Sequence, residues 1–192
     1  MKQNYFELFK LPSNFNIDLN LLEQSYQQVM RQVHPDRQQK QELQQRLAAQ
    51  YAALANDAYH CLKDPVFRAA YLAKQQGVDT ELEQVSIHDA AFLEQLIMWE
   101  ECLEEVRSVP DSSRINSLQQ EIHQAIVEQE SAFAGLYTEL RKAENTSINA
   151  FASTAVNHSI DQNTKSCITD IISKMRFLYK LKKQLMMIPL KD

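Results

Sequence analysis

Glycine is scarce in this chain: its 192 residues include only two, Gly77 and Gly135. Tight β-hairpins prefer Asn-Gly or Asp-Gly in their turns, and neither dipeptide occurs. Gln, Leu, Ala and Glu, which favour helix, are plentiful. We therefore predict an all-α protein, and the length suits one larger domain or two small ones.

The charge and the apolar pattern exclude several classes of protein. The formal net charge is −5, which argues against broad binding of nucleic acid or of membranes. No apolar run approaches the roughly 20 residues of a membrane-spanning helix, and the first residues lack a secretory signal. Cys61, Cys102 and Cys167 lie far apart, which favours buried or half-buried thiols in a reducing compartment. We expect a cytoplasmic protein.

Four amphipathic helices are predicted in the first part of the chain, over about residues 4–10, 19–33, 41–62 and 67–76. The second helix can begin after Asp18, whose carboxylate suits an N-cap position. Pro35 ends the same helix, because proline lacks the backbone N–H and fixes φ. We predict a first domain over residues 1–76, followed by a linker over 77–88.

Three longer helices are predicted in the rest of the chain, over about 89–107, from about 114 onward, and over 165–187. Ser86 and Asp89 have the spacing of a capping box before the first of them. Short or moderate links suggest an antiparallel three-helix bundle over residues 89–192. The stretch near 144–164 is rich in Ser, Thr and Asn, so we expect an irregular or partly helical insertion there.

The tripeptide His34, Pro35 and Asp36 lies between the second and third predicted helices. A rigid polar loop between two helices favours a surface that is held out for a partner. A catalytic pair is a poor alternative, because neighbours separated by one proline seldom meet in the geometry of a base and its orienting carboxylate. The pair also supplies too few ligands for zinc.

Residues 1 to about 75 resemble the J-domain family of co-chaperones. The resemblance rests on the order and spacing of four pieces: Tyr5-x-x-Leu8-x-x-Leu11, the helix with Leu22, Tyr26 and Val29, His34-Pro35-Asp36-Arg37, and Ala58-Tyr59-x-x-Leu62-x-Asp64-Pro65-x-x-Arg68-x-x-Tyr71. Such a series is far more specific than the tripeptide alone. The resemblance implies that the first domain is the helical hairpin of a J-domain.

The J-domain resemblance also implies a mechanism. J-domains bind a DnaK-type chaperone ATPase and stimulate its ATP hydrolysis, so the chain itself is not expected to be an enzyme. The contact loop would consist of His34, Pro35 and Asp36, and the accompanying positive charges would come from Arg31 and Arg37. The second helix is less basic than is usual, with Gln27, Gln28 and Gln32 at positions expected to be exposed. That departure suggests weaker electrostatic steering or a specialised chaperone partner.

The helix predicted over 89–107 has two different stripes when successive residues advance by about 100°. The first is apolar and is predicted to face the core: Phe92, Leu96, Trp99, Leu103 and Val106. The second is apolar at one end and acidic at the other: Leu93, Ile97, Glu101 and Glu105. Leu93 and Ile97 are therefore expected to be partly exposed, and Phe177 lies opposite the apolar stripe of the last helix. Local packing is the simpler explanation, while a contiguous exposed patch suggests an interface.

The second half of the chain is similar to the bundle domain of HscB-type J-proteins, which serve iron–sulfur cluster assembly. The similarity rests on four pieces: Asp64-Pro65-x-x-Arg68-Ala69-x-Tyr71-Leu72, Asp89-x-Ala91-Phe92-Leu93, Glu100-Glu101-x-Leu103-x-Glu105 and Met175-Arg176-Phe177-Leu178-x-Lys180-Leu181. In that family the bundle binds an IscU-type scaffold protein. By position, the resemblance implies scaffold contacts at Leu93, Ile97, Glu101, Glu105 and Phe177. The pattern departs from the family at Glu94 and Met98, where an acidic and an apolar residue are interchanged.

Other candidate residues carry less weight. His60, His88, His123 and His158 match no metal-ligand spacing, so neither a metal nor another cofactor is expected. The basic residues near the end of the chain are predicted to form a solvated helix face: Lys174, Arg176, Lys180, Lys182 and Lys183.

The expected function is that of a co-chaperone that stimulates a DnaK/HscA-type chaperone ATPase and brings an IscU-type scaffold to it. A J-protein with a different client is the main alternative. A hydrolase using His34 and Asp36, or a helix-turn-helix DNA-binding protein, would belong to other classes. The net charge of −5 disfavours the DNA-binding alternative.

Overall fold

The computed structural model describes residues 4–32, 42–78, 80, 87–150 and 160–188, and for residues 42 and 144–150 it describes the backbone alone. The regular structure in these ranges is helical, which confirms the predicted all-α class. The helices are α1 Tyr5–Leu8, α2 Leu19–Gln32, α3 Glu42–Lys63, α4 Pro65–Gln75, α5 Ala90–Ser108, α6 Ser112–Ala150 and α7 Gln162–Leu185. The chain divides into two compact units, Met1–Gln75 and Gln76–Asp192.

Short polar side chains set the starts of the helices in the first unit. The Asp18 carboxylate accepts hydrogen bonds from the backbone N–H of Asn20 at 2.8 Å and of Leu21 at 3.2 Å, as predicted for an N-cap. Asp64 accepts from the N–H of Val66 at 2.8 Å and so begins α4. Because these donors have no partner inside the helix, each cap stabilises the start of its helix by about 1 kcal/mol.

Residues of α4 join separate parts of the first unit. The Tyr5 backbone N–H donates to the Tyr71 hydroxyl at 3.0 Å, and the two rings stack with centroids 4.5 Å apart. Arg68 is buried, donates from Nη1 to the Leu62 carbonyl at 2.6 Å, and places its guanidinium 4.9 Å from the Phe15 ring centroid. These contacts fix α4 against α1 and against the segment that precedes α2.

An aromatic pair holds α2 against α3. The rings of Tyr26 and Tyr59 stack with centroids 4.2 Å apart. The Tyr26 hydroxyl donates to Asn56 Oδ1 at 2.7 Å, and the Tyr59 hydroxyl donates to the Glu23 carboxylate. Lys63 Nζ donates to the Tyr59 hydroxyl at 3.0 Å. The helical hairpin is thus fixed by a polar network as well as by apolar packing.

Helices α5, α6 and α7 share one apolar core in the second unit. Its members are Leu96, Trp99, Leu103, Val106, Ile115, Leu118, Ile122, Ile126, Leu178, Leu181, Leu185 and Ile188. The stripe predicted on α5 is confirmed, although Phe92 is only partly buried at the edge of this core.

Polar contacts join the three helices, and the link and contacts between them show the direction in which each helix runs. Trp99 Nε1 donates to Glu121 at 3.1 Å, and Tyr179 donates to Glu130 at 2.6 Å. The three-residue link between α5 and α6 makes these two helices antiparallel. Lys182, late in α7, lines a cavity with His123, early in α6, so α6 and α7 are antiparallel too. Consequently α5 and α7 run parallel.

Several helix limits differ from the prediction. Helix α1 ends at Leu8 rather than near residue 10, and α4 begins at Pro65 rather than near residue 67. The capping box at Ser86 and Asp89 is wrong, because Asp89 is itself the N-cap of α5 and accepts from the Phe92 N–H at 3.1 Å. Asp111 accepts from the Ser113 N–H at 2.8 Å, so α6 begins at Ser112 rather than near residue 114. Asp161 is the N-cap of α7, which begins three residues earlier than predicted.

The backbone of α6 is helical to Ala150, and this includes residues 144–150 of the predicted insertion. Residues 151–159 lie outside the described ranges, so the insertion and the predicted domain limits stay predictions. In the ranges that the structure describes, every helix is too short or too polar to span a membrane.

We expect Leu178→Ala to lower the free energy of unfolding of the second unit by about 2–5 kcal/mol, because the side chain is fully buried. Urea unfolding can be followed by the fluorescence of Trp99, the only tryptophan, which lies in the same core. The control is Ile97→Ala, at a residue 56% exposed, for which we expect a loss below about 1 kcal/mol. Equal losses in both variants would contradict the inward orientation of Leu178.

Candidate functional site

The residues predicted to contact a chaperone lie at the end of α2 and beyond it. Arg31 is in the last turn of α2 and is exposed. Gln27, Gln28 and Gln32 are also exposed, as predicted. The rest of the predicted contact lies outside the described residues and stays a prediction: His34, Pro35, Asp36 and Arg37.

The second stripe of α5 lies on the surface. Leu93 is 39% exposed and Ile97 is 56% exposed, while their neighbours Leu96 and Trp99 are buried. Glu101 is exposed as well. Because these residues recur every four positions, the stripe from Leu93 to Glu105 is about 18 Å long and turns by about 120° around the helix axis over that length. The predicted exposure of its apolar end is confirmed.

The stripe on α5 borders the groove between α5 and α7. Trp99 contacts α6 through Glu121, and the ring of Phe92 lies 5.4 Å from Lys174 Nζ of α7. Viewed along the axis of α5, Trp99 lies about 20° to one side of Phe92, and Leu93 lies about 100° to the other side. Leu93 therefore lies on the α7 side of α5, and Ile97 lies one turn further along that side.

Phe177 lies on the other wall of this groove. It is half-buried and packs against the apolar core. Lys174 contacts Asp89, and Tyr179 contacts Glu130 of α6. By helical geometry Phe177 is about 60° from Lys174, on the side away from Tyr179, so it faces α5. The parallel register then places Phe177 level with the first two turns of α5.

By this helical geometry Leu93, Ile97 and Phe177 face the same side of the bundle between α5 and α7, which we call the α5–α7 groove. The acidic end of the stripe lies further along α5. There the Glu105 carboxylate forms an ion pair with Arg114 at 2.8 Å, and both side chains are more than half exposed. Sequence spacing alone did not predict that partner. Met98 is 61% exposed and Glu94 is exposed, so both interchanged residues lie at the surface.

The prediction of a solvated basic face was wrong for Lys174. This lysine is buried, and its Nζ lies 2.8 Å from both Asp89 Oδ2 and Asp170 Oδ2. Arg176, Lys180 and Lys183 are exposed, and Lys182 is half-buried. The sequence did hold a signal, because Lys174 precedes Leu178, Leu181 and Leu185 by four, seven and eleven residues. It therefore occupies the inward stripe of α7.

The ion pairs of Lys174 change the pKa of two groups. Burial by itself lowers the pKa of Lys174, but hydrogen bonds to Asp170 and Asp89 and their negative charges outweigh it and raise the pKa. The hydrogen bond from Lys174, followed by that from the Phe92 N–H, lowers the pKa of Asp89. Both charged forms are therefore favoured near neutral pH.

The remaining candidates do not form a second site within the described ranges. There, no group of three or more His, Cys, Asp or Glu residues could hold a metal ion. His60, His88 and His123 are exposed, and His158 lies outside those ranges.

The cysteine prediction holds in part. Cys61 and Cys102 are half-buried, and burial raises the pKa of the Cys61 thiol to about 11. Cys167 is exposed, against the prediction. Asp170 accepts from the His88 backbone N–H and so lies level with the start of α5. Cys167 lies one turn earlier on α7, where α5 has not yet begun.

Comparisons with known proteins place the chain in a family. Residues 88–186 match the model of the HSCB C-terminal oligomerisation domain. A co-chaperone protein HscB homolog of Shewanella sp. (strain ANA-3) is 33% identical over 183 residues, or 95% of this chain and 94% of that relative. Another, of Shewanella oneidensis (strain MR-1), is 43% identical over 117 residues, 60% of this chain and 67% of that relative. The solved structure of chaperone HscB from Vibrio cholerae aligns with a TM-score of 0.69 at 29% identity, covering 96% of each chain.

Two helical units, with an α2–α3 hairpin in the first and an α5–α7 bundle in the second, define a J-type co-chaperone when combined with these matches. Within that class, the chain belongs to the HscB family of co-chaperones.

We expect acid to destabilise the second unit partly through Asp89. Its pKa in the folded protein is below the ordinary value of 3.8, so its contribution is present above 3.8 and is lost as the pH falls through the folded pKa. In Asp89→Asn, which retains an N-cap, the loss of stability between about pH 5 and pH 2 should be smaller than in the wild type. Urea midpoints measured by Trp99 fluorescence test this. Asp111→Asn, at the N-cap of α6, is the control, and equal slopes for Asp89→Asn and the wild type would refute the assignment.

Proposed function

We propose that this chain is a co-chaperone with two docking surfaces. The first engages a DnaK/HscA-type chaperone ATPase and stimulates its ATP hydrolysis. The second holds an IscU-type scaffold protein and so promotes transfer of the iron–sulfur cluster to acceptor proteins. The observation that carries the proposal is the α5–α7 groove, where Leu93 and Ile97 are exposed beside Phe177 in a bundle that matches the HSCB C-terminal domain.

The chaperone surface would extend from Arg31 into the loop that contains His34, Pro35 and Asp36. Pro35 restricts the loop, so less conformational entropy is lost when it docks. The Asp36 carboxylate can accept two hydrogen bonds from one arginine of the partner. Support for this surface comes from the J-domain resemblance and from the exposure of Arg31.

The scaffold surface combines an apolar anchor with an acidic end. Full burial of an exposed aliphatic side chain contributes about 1.5–3 kcal/mol, so Leu93 and Ile97 can supply a large share of the affinity. Glu101 and Glu105 would orient a basic partner and speed its association. The ion pair between Glu105 and Arg114 opposes this only weakly, because exposed ion pairs contribute at most about 1 kcal/mol.

The two surfaces on one chain would raise the effective concentration of the scaffold near the chaperone. The chain then needs neither a catalytic residue nor a cofactor of its own, since ATP hydrolysis takes place on the chaperone. A J-protein with another client would retain the first surface and would not respond to the scaffold. A hydrolase built on His34 and Asp36 would act without any chaperone.

His34→Gln should abolish stimulation of the chaperone ATPase, because the substitution removes the imidazole of the proposed contact tripeptide. The measurement is steady-state ATP hydrolysis by a DnaK/HscA-type chaperone with the wild type or the variant, with and without scaffold. We expect stimulation by the wild type that grows further with scaffold, and none by the variant. Stimulation that does not increase with scaffold would favour a J-protein with another client. ATP hydrolysis by the isolated chain would favour a hydrolase that uses His34 and Asp36.

Leu93→Ala/Phe177→Ala should weaken scaffold binding about 30-fold or more, as expected when two central apolar contacts are lost. Isothermal titration with a purified IscU-type scaffold gives the dissociation constant. Val127→Ala is the matched control, because Val127 is 40% exposed on α6 of the same unit, and it should bind like the wild type. The double variant should still stimulate the chaperone in the absence of scaffold. Wild-type affinity in the double variant would place the binding surface elsewhere.

A further inference from the structure

Lys174 is the only lysine that is buried among the residues described by the structure. Its Nζ is held by two carboxylates at 2.8 Å and lies 5.4 Å from the centroid of the Phe92 ring. A buried charge must be paired to be tolerated, and an apolar side chain of similar volume often stabilises a core equally well. Stability alone therefore does not explain a lysine at this position.

The two carboxylates bound by Lys174 differ in what they connect. Asp170 lies one turn earlier on α7, so its ion pair stays within a single helix. Asp89 is the N-cap of α5, so its ion pair joins the start of α5 to the middle of α7. The ring of Phe92 packs over the same ammonium group and adds a second contact between these helices.

The connection between Asp89 and Lys174 lies one turn before the proposed scaffold surface on both helices. The Leu93 backbone N–H donates to the Asp89 carbonyl at 3.1 Å, so Leu93 occupies the turn that Asp89 begins. Phe177 follows Lys174 by three residues on α7. The position of the ion pair therefore sets the distance between the two apolar walls of the α5–α7 groove.

We propose that Lys174 is a positioning residue, and that its ion pair with Asp89 holds Leu93 and Phe177 at the spacing which the scaffold requires. The identity of the ligand rests on the proposed function. A groove whose walls are already in place loses less entropy on binding than one whose walls move. Lys174 is buried and acts through the two apolar residues, not through a contact of its own.

Two substitutions separate this role from a general effect of charge. Asp89→Asn and Asp170→Asn each remove one ion pair of Lys174, but only Asp89→Asn removes the ion pair between helices. Asn also keeps the N-cap of α5. Asp170 also accepts from the His88 backbone N–H at 3.4 Å, and an Asn at that position keeps the accepting oxygen. Full-length protein is compared by amide hydrogen exchange and by titration with a purified IscU-type scaffold. In Asp89→Asn, exchange in the first two turns of α5 should rise about tenfold, and scaffold affinity should fall about fivefold or more. In Asp170→Asn, both should stay within about twofold of the wild type.

Lys174 itself provides a second test. Lys174→Met fills the same volume without charge. It leaves Asp89 and Asp170 without their cation, which lowers the unfolding midpoint, but both carboxylates are reached by water, with 42% and 21% of their side chains exposed, so the protein should keep its fold. It should nevertheless show the faster exchange in α5 and the weaker scaffold binding. Lys174→Arg should restore both, because the guanidinium can still reach a carboxylate. Lys183→Met, at an exposed position of the same helix, is the control and should change neither.

The outcomes distinguish this inference from the proposed function. If amide exchange in α5 is unchanged in Asp89→Asn and Lys174→Met, the positioning role is overturned, whether or not scaffold affinity changes. Faster exchange with undiminished scaffold affinity would overturn it as well. If the wild type does not bind the scaffold, but amide exchange in α5 rises in Asp89→Asn and Lys174→Met as expected, the proposed function fails. The inference that Lys174 positions the walls of the α5–α7 groove then stands.

Discussion

The geometry of α5 is the constraint on which the second unit depends. At 3.6 residues per turn a helix can bury only one broad stripe, and α5 buries Leu96, Trp99, Leu103 and Val106 against α6 and α7. Leu93 and Ile97 are then turned toward the surface by the same geometry. Both residues are as apolar as those in the core, so their exposure is a consequence of where the core lies. The exposed apolar wall of the α5–α7 groove is therefore produced by the packing of the bundle.

Much of this arrangement could be predicted from the sequence, because it depends on periodicity and on local capping. Helical spacing alone gave the buried stripe of α5 and the exposure of Leu93 and Ile97. Asp18 was recognisable as an N-cap, since its side chain bonds only to backbone groups two and three residues away. The family resemblance, based on motifs in both halves, agrees with the match over residues 88–186.

Contacts between distant residues could not be predicted in the same way. Lys174 and Asp89 are 85 positions apart, and only the parallel register of α5 and α7 brings them together. The charge of Lys174 led to the prediction of a solvated side chain. Its position on the inward stripe of α7 is what buries it. Cys167 shows the converse: it lies on that same side, but α5 has not yet begun at its level. Burial thus depends on the lengths and offsets of neighbouring helices, which a single helix does not encode.

The two ion pairs of α5 give its ends different properties. The pair between Asp89 and Lys174 is largely shielded on the lysine side, with 11% of that side chain exposed, and water competes with it poorly. The pair between Glu105 and Arg114 is open to solvent on both sides and is easily exchanged for other partners. The apolar anchor of α5 is consequently fixed in place, while its acidic end can adjust. A partner that docks first by its apolar contacts would then meet carboxylates that are free to reorient toward its positive charges.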